Sequence, residues 1–341
     1  MNRVGKDSIY LADVCPLVQN LKDRTLLITG VTGQIGKAMA HYLSMLNIQY
    51  GLGLKIYGQT RDAENARRSE RLPQDIVLLE SPLERLREQL NVDRLDAIIH
   101  LAAPTASQFF VTHPVETIST IVEGTRGVLE CAREKNGTTV LYVSSMEVYG
   151  NVPMERQPAK ESFLGTLDLL NPRSSYPMAK RMAEHLCLCY GKEYGIPVKI
   201  VRPCQTFGYN LSATDQRVYA QIARSVEHGD PVILHTTGEQ SHCFCDTLDM
   251  VSALLYVLLK GENQGVYNIA NPETYCSIRQ MAEQVCAHFS TGSKVLIELD
   301  STKGYPPVSH LFLDTERIQS LGWTPQKGLM EMYEGLIDSL Q

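Results

Sequence analysis

The sequence predicts an α/β protein whose centre is a doubly wound parallel sheet. Short apolar, β-leaning segments alternate with helix-like segments through the first two thirds of the chain, as in a parallel sheet covered by helices. A glycine-rich turn also separates the first strand from the first helix. With 341 residues, the chain can bury a substantial core in one large domain or two smaller ones.

The first strand is predicted at residues 25–29, an apolar, β-leaning run. Residues 1–23 precede it and are expected to form an N-terminal extension on the domain surface. Long helices are predicted over residues 114–134 and 174–194, and residues 203–341 mix short strands and helices in a smaller α/β part. Five further strands are predicted at residues 54–57, 76–79, 96–101, 138–144 and 197–201.

The turn after the first strand places glycines at every third position of residues 30–36. A strand, a glycine turn and a helix in this order form the setting of a dinucleotide-binding fingerprint. Gly30 permits the tight turn, Gly33 lets the backbone approach a pyrophosphate, and Gly36 allows close helix–strand packing. A glycine-rich turn without a ligand is the alternative. The predicted cofactor contacts are Gly30, Thr32, Gly33, Gln34, Ile35 and Gly36, in an NAD(P)-binding Rossmann domain at residues 24–202.

A second signal is the pair Tyr176 and Lys180, which lie four residues apart on a predicted helix and so share one face. A phenol titrates near pH 10 when unperturbed, too high for a base at neutral pH. A nearby ammonium favours the phenolate, lowers the phenol pKa, and makes proton abstraction from a hydroxyl feasible. An ordinary solvated helix face is the alternative for the pair taken alone.

The glycine turn, the strand and turn at residues 140–150, and the Tyr176/Lys180 pair together resemble the extended short-chain dehydrogenase/reductase family. Within that family, the chain is most similar to the nucleotide-sugar epimerases, dehydratases and decarboxylases. The resemblance covers nearly the whole chain. It continues through residues 100–103, 202–208, 238–240, 249–251, 267–270 and 321–325.

The resemblance implies a role for each residue of the site. Tyr176 would accept the proton of a sugar hydroxyl, usually at C4, while the hydride of that carbon goes to the nicotinamide. Lys180 would hold the cofactor ribose, and Ser145 would hydrogen-bond the reacting oxygen; a strand-end capping hydroxyl is the alternative for Ser145. Residues two apart on a strand share a face, which favours a joint role for Ser145 and Glu147. The other implied cofactor contacts are Leu101, Ala102 and Ala103.

A 4-keto sugar can be epimerised, dehydrated or, as a β-keto acid, decarboxylated. Glu147 stands where the family's dehydratases and decarboxylases have a glutamate, although a surface carboxylate or a structural hydrogen bond is the alternative. Met146 replaces the dehydratase aspartate, and a thioether cannot donate a proton. His242 replaces an arginine of the decarboxylases, and a histidine is mostly neutral at neutral pH. The choice therefore stays open between a redox-neutral epimerase or dehydratase, a uronic acid decarboxylase, an NADPH-consuming reductase and a non-catalytic binding protein.

The second strand bears on the choice of cofactor. NAD enzymes of this fold usually have an acidic residue at the end of that strand, and none stands directly there. Arg61 is placed to meet the 2′-phosphate of NADP, or is a solvated loop charge. Redox-neutral relatives mostly use NAD, which makes NAD the predicted cofactor and NADP the alternative. Gln205 and His242 are the predicted substrate contacts, with a bystander role as the alternative for His242.

Composition excludes several other classes of protein. A net charge of −6 with scattered basic residues argues against nucleic acid or a membrane as partner. The longest apolar run is too short to span a bilayer, and the N-terminus lacks the pattern of a signal peptide. The nine cysteines do not have zinc-ligand spacing, so no metal site and reduced thiols are expected. We therefore expect a cytoplasmic protein and, from the resemblance, a homodimer that binds a nucleotide sugar.

Overall fold

A seven-stranded, all-parallel sheet forms the centre of the computed structural model, which describes residues 17–69, 72–208, 215–300 and 308–340. The strands are β1 Thr25–Thr29, β2 Lys55–Thr60, β3 Ile76–Glu80, β4 Ala97–His100, β5 Thr139–Val143, β6 Val198–Pro203, β7 Gln205–Phe207, β8 Val232–Leu234, β9 Ser241–Asp246, β10 Val266–Ile269, β11 Asn271–Ser277, β12 Val295–Ile297 and β13 His310–Leu311. The helices are α1 Gln34–Tyr50, α2 Ala63–Ser69, α3 Leu86–Gln89, α4 Ser107–Thr112, α5 Pro114–Glu134, α6 Ser175–Tyr194, α7 Val218–His228, α8 Thr247–Lys260, α9 Ile278–Phe289, α10 Glu316–Gln319 and α11 Leu329–Leu340.

The order of strands in the main sheet is β10-β6-β5-β4-β1-β2-β3. The strands β3-β2-β1-β4-β5-β6 reproduce the doubly wound Rossmann arrangement, in which the strand order reverses beside β1. Central strands β1 and β4 are buried along their whole length because helices cover both faces. The prediction of a doubly wound parallel sheet is confirmed, and the bounds of β1 and α5 agree with it to the residue.

Helices cover the two faces of the main sheet in different pairs. On one face, Met39 and Leu43 of α1 pack in the same apolar core as Leu254 of α8. On the other face, Val128 of α5 and Ala183 of α6 belong to a second core. Helix α6 reaches the end of β5, because Lys180 donates to the carbonyl of Val143, the last residue of that strand, where the predicted active site is built.

The C-terminal part folds around a smaller mixed sheet. Strand β9 pairs with β11 on one side, while β13 and β7 pair in turn along its other side. Helices α7, α9 and α11 and the short sheet β8–β12 enclose a third apolar core. The chain also returns once to the main sheet, because β10 pairs in parallel with β6. The larger sheet is therefore completed by the C-terminal part of the sequence.

The described part of the predicted N-terminal extension begins at residue 17, and residues 1–16 lie outside the described residues. Leu17, Val18 and Leu21 are buried in the core shared with α1 and α8. This segment is therefore more deeply packed than a surface extension, because its apolar side chains complete that core. Within the described ranges, no helix has the length and apolar character needed to cross a membrane, and no cluster of side chains suits a metal ion.

Two buried carboxylates lie at the N-terminus of α8. Asp246 Oδ1 caps the helix by accepting a hydrogen bond from the Leu248 N–H at 2.8 Å. Asp249 Oδ2 accepts from the backbone N–H groups of Gln326 and Lys327, both at 3.0 Å, whereas its Oδ1 has no hydrogen-bond partner among the described residues. Burial, followed by the nearby Asp246, raises the pKa of Asp249 to about 7.

This raised pKa predicts a pH-dependent loss of stability. An unfolded aspartate titrates near pH 4. The folded protein therefore binds more protons than the unfolded chain between about pH 4 and about pH 7, and this group lowers stability as pH rises through that window. We expect Asp249→Asn, which keeps an oxygen for the two backbone donors, to gain thermal stability relative to the wild type over the same window. Melting temperatures of the wild type and the variant across a pH series measure this gain in stability. Asp338→Asn, at an exposed helical position, is the control.

Candidate active site

The glycine turn between β1 and α1 forms a close backbone cradle. Gly30 adopts φ +65°, and a Cβ there would lie 2.9 Å from the Ala102 Cα atom. A Cβ on Gly36 would overlap the carbonyl oxygen of Gly30. Gly33 is the N-cap of α1, and no side chain of the described ranges caps that helix end. Its first N–H groups are therefore free to meet a phosphate.

Other residues of the turn have their side chains engaged elsewhere. Ile35 packs against the apolar core, and Thr32 is half-buried. The Gln34 amide donates to Thr247 Oγ1 at 3.1 Å and accepts from Arg217 Nη2 at 2.9 Å. The Gln34 side chain therefore connects the glycine turn to α8 and to the start of α7. Only the backbone of Gln34 is then available to contact a cofactor.

The end of β4 forms the neighbouring wall of the cradle. The backbone N–H groups of Leu101 and Ala102 donate to Thr29 Oγ1 at 3.2 and 3.3 Å, and the same hydroxyl contacts His100 Nδ1 at 2.7 Å. Burial, with a smaller contribution from the Lys180 charge, lowers the pKa of His100 to about 3. This neutral histidine therefore helps hold the half-buried segment of Leu101, Ala102 and Ala103 beside the glycine turn.

A buried glutamine near the end of β2 also supports the turn. Gln59 Oε1 accepts from the Gly30 N–H at 3.1 Å, and its Nε2 donates to the Ser81 carbonyl at 2.6 Å. Arg61, two residues later, is exposed. We did not predict a role for Gln59, whose partners Gly30 and Ser81 are 29 and 22 residues away in the sequence.

Tyr176, Lys180 and Ser145 meet where α6 begins and β5 ends. Tyr176 lies in the first turn of α6 and is buried, as is Lys180 one turn later. Lys180 Nζ donates to the Val143 carbonyl at 2.8 Å and lies 5.9 Å from the centre of the Tyr176 ring. The Ser145 side chain is close enough to the Tyr176 phenol for a hydrogen bond that lowers the phenol pKa. The predicted shared helix face of Tyr176 and Lys180 is thus present.

The pKa of Tyr176 is shifted in the direction opposite to our expectation. Burial of the phenol raises its pKa, and the charge of Glu147 raises it further. The hydrogen bond from Ser145 and the charge of Arg173 lower it by less. Burial also lowers the pKa of Lys180 to about 8, and its ammonium is directed at the Val143 carbonyl. In this dry environment, desolvation outweighs the ammonium effect that the Tyr–Lys spacing suggested.

Glu147 does not lie on a strand, which corrects the shared-face argument. Residues Met146–Tyr149 form a 3₁₀ helix, and Ser145 caps it because its Oγ accepts from the Glu147 N–H at 3.2 Å. Glu147 pairs with Arg173, whose Nη1 and Nη2 donate to the two carboxylate oxygens at 2.9 and 3.2 Å. We did not predict a role for Arg173; its place three residues before Tyr176 was the available signal.

Gln205 and His242 lie on the smaller sheet. Gln205 of β7 pairs with Phe244 of β9, so Gln205 and His242 share a sheet face. His242 is buried, and neither its Nε2 nor Gln205 Oε1 has a hydrogen-bond partner in the described part of the chain. Burial lowers the pKa of His242 to about 4, so this side chain is neutral at neutral pH. Contact of either residue with a substrate stays a prediction.

Comparison with known proteins decides the family. Residues 26–270 match the family described as the NAD dependent epimerase/dehydratase family. The chain belongs to this family. It is 32% identical over 237 residues to UDP-glucuronic acid decarboxylase 5 of Arabidopsis thaliana, covering 70% of this chain and 67% of that protein.

Solved structures of epimerases share the fold of this family member. UDP-glucose 4-epimerase of Thermotoga maritima, solved with UDP-glucose, matches with a TM-score of 0.79 at 21% identity, covering 93% of this chain and 100% of that one. UDP-glucuronic acid 4-epimerase of Bacillus cereus, solved with UDP-glucuronic acid and NAD, matches with a TM-score of 0.74 at 19% identity, covering 93% and 98%. The predictions of an enzyme, of this family and of an NAD cofactor are confirmed.

The residues of this epimerase/dehydratase fit NAD. The turn leaves a close backbone cradle, because a Cβ at Gly30 or Gly36 would clash with neighbouring backbone. The helix end at Gly33 carries no side-chain cap in the described ranges, and Gln59 supports the turn through the Gly30 N–H. Such a cradle suits a pyrophosphate. A role for Arg61 toward a 2′-phosphate stays a prediction.

Proposed function

We propose that this protein converts a nucleotide sugar through a 4-keto intermediate without net oxidation. The observation that carries the proposal is the meeting of Tyr176, Lys180 and Ser145 at the carboxyl edge of the sheet, beside the glycine turn. Ligands of doubly wound sheets bind at this edge, near the point where the strand order reverses. Relatives named for UDP-sugars support a nucleotide sugar as substrate.

Each of the three residues has a task in this reaction. The Ser145 hydroxyl holds the reacting sugar oxygen, and Tyr176, ionised to the phenolate, removes its proton. Lys180 places a cation at the base of the site, and that charge is retained below its pKa of about 8. Bound NAD would supply the acceptor for the hydride of the same carbon and the donor that restores it. Because burial raises the phenol pKa, the site has to supply positive charge for Tyr176 to act as a base.

The surroundings of Glu147 favour epimerisation over dehydration. A dehydratase needs an acid to protonate the leaving hydroxyl, and Met146 has no proton to donate. It also needs a free carboxylate base, whereas both oxygens of Glu147 are engaged by Arg173. A uronic acid decarboxylase is the second candidate, favoured by 32% identity to a UDP-glucuronic acid decarboxylase. The neutral His242 is the feature that argues against it.

The products distinguish these reactions. The purified protein is incubated with UDP-, dTDP-, GDP- and CDP-sugars, including UDP-glucuronate, and the products are analysed by mass spectrometry. We expect unchanged mass with a new chromatographic peak, which is the result of an epimerase. Loss of carbon dioxide from UDP-glucuronate would select the decarboxylase. Turnover only with added NADPH would select the reductase, and no conversion of any nucleotide sugar would contradict the proposal.

The homodimer belongs to this proposal because α5 and α6 expose an apolar stripe. The two helices pack against each other, and Val115, Ile118, Met178 and Met182 are 38 to 75% exposed along them. Their spacing of three or four residues within each helix puts the side chains of each helix on one face. A second copy of the chain would remove this surface from water. The cytoplasmic location stays a prediction, consistent with free thiols at the eight described cysteines.

We expect Met182→Glu to convert a dimer to a monomer, because the charge would be buried against apolar side chains of the partner. Sedimentation velocity measures the change, and circular dichroism checks that the fold is retained. Ile48→Glu is the matched control, since Ile48 is 77% exposed on α1, away from the stripe. A wild-type monomer, or a variant that stays dimeric, would contradict the proposed interface.

A further inference from the structure

The Arg173–Glu147 pair is a fixed ion pair at the edge of the catalytic residues. Its two parallel hydrogen bonds of 2.9 and 3.2 Å join the guanidinium to both carboxylate oxygens. Bidentate geometry of this kind fixes orientation as well as charge. The side chains are 25% and 27% exposed, so solvent screens the pair only in part. Glu147 follows the cap of its 3₁₀ helix, and Arg173 lies in the 3₁₀ helix Pro172–Ser174 before α6.

An aromatic stack connects the pair to the base. The rings of Phe110 and Tyr176 are parallel, with centres 4.2 Å apart, and the guanidinium carbon of Arg173 lies 5.9 Å from the centre of the Phe110 ring. Ser175 Oγ donates to the Phe110 carbonyl at 3.2 Å, which anchors α4 to the start of α6. Arg173 therefore contacts both Glu147 and the aromatic wall that covers the phenol.

We propose that Arg173 is a positioning residue that holds the Glu147 carboxylate and, by balancing its charge, keeps the Tyr176 phenol able to ionise during the reaction. The proposal rests on the proposed function, in which Tyr176 is the base. In this proposal the Glu147 carboxylate contributes a fixed negative charge beside the site, and Tyr176 alone transfers the proton.

The charged groups around Tyr176 give the sign of the effect. Glu147 lies on the turn after β5 and raises the phenol pKa, while Arg173 lies on the turn before α6 and lowers it. Lys180 contributes a cation from α6, whereas Phe110 on α4 brings no charge. Tyr142 on β5 is a neutral phenol whose own pKa is raised by burial. Removing Arg173 alone therefore leaves the Glu147 charge unopposed, and removing both groups restores the balance.

The test compares Arg173→Gln, Glu147→Gln, the double variant and Arg173→Lys as holoenzymes. Initial rates of product formation are measured across pH. We expect Arg173→Gln to move the acidic limb of the rate profile up by about one pH unit, which is about a tenfold lower rate at a fixed pH on that limb. Glu147→Gln should move the limb down, the double variant should return it close to the wild-type position, and Arg173→Lys should recover part of the loss.

A second measurement does not need turnover. Ultraviolet difference titration of each variant against the same variant carrying Tyr176→Phe reports ionisation of this phenol alone, and it should follow the same order. Arg181→Gln is the matched control, because Arg181 donates to the Val148 and Gly165 carbonyls of the neighbouring loop and does not pair with Glu147. Arg181→Gln should lower the stability of the fold and leave the pH dependence of the rate and of the Tyr176 titration unchanged.

Three outcomes separate the inference from the function on which it rests. If the wild type converts a nucleotide sugar but Arg173→Gln and Glu147→Gln leave both pH profiles unmoved, the ion pair is structural only and the inference is overturned. If the double variant is as strongly shifted as Arg173→Gln, charge balance is likewise the wrong explanation. If the wild type converts no nucleotide sugar, the proposed function fails instead.

Discussion

Tyr176→Phe should abolish turnover while leaving the fold and cofactor binding intact. The substitution removes only the hydroxyl, so the ring can keep its parallel stack with Phe110 at 4.2 Å. Loss of a positioned base costs about a hundredfold to ten-thousandfold in rate. Product formation from the best nucleotide sugar gives the rate, and a melting curve with and without NAD checks folding and binding.

The matched control for this experiment is Tyr190→Phe on the same helix. Tyr190 donates to Glu130 at 2.5 Å, far along α6 from the catalytic turn, so this variant removes a phenol hydroxyl without touching the site. It should retain wild-type turnover. Activity of Tyr176→Phe near the level of this control would show that another group removes the proton.

Glu184→Gln should produce the largest loss of stability that we predict. The Glu184 carboxylate accepts from Arg202 Nε at 3.0 Å and Nη2 at 2.7 Å, and both side chains are buried. Arg202 also donates to the Tyr149 hydroxyl at 3.1 Å, and that hydroxyl donates to Asn268 at 2.6 Å. Removing one partner of such a pair leaves a buried charge uncompensated, at a cost of about 3–5 kcal/mol.

The effect of Glu184→Gln extends to the active site through α6. Glu184 lies one turn after Lys180 and two turns after Tyr176, so the ion pair fixes the helix that carries both. Urea unfolding measures the loss of free energy, and Glu283→Gln, which breaks an exposed pair with Arg279, is the control. A loss no greater than that of the control would mean that the buried pair contributes little to holding α6.

The sequence supplied the parts of the site that depend on local spacing. The glycine turn, the Tyr176/Lys180 pair and the long helix α5 were predictable because each is a short-range pattern of residue types. The role of Gln59 was not predictable, because its amide acts through Gly30 and Ser81, which are distant in sequence. Glu147 was assigned to a strand because the cap from Ser145 and the pairing with Arg173 cannot be read from alternation.

By itself, the sequence determined the doubly wound sheet, the cofactor turn and the identity of the residues that could act as base and cation. These follow from periodicity and from the conformational needs of glycine, which are local properties of a chain. Only the tertiary structure decided the electrostatics of the site: which charge faces which, and how dry each group is. Burial raises the pKa of Tyr176 and lowers those of Lys180 and His242. Desolvation depends on all the neighbours that fold around a group, and most of those neighbours are far away in the sequence.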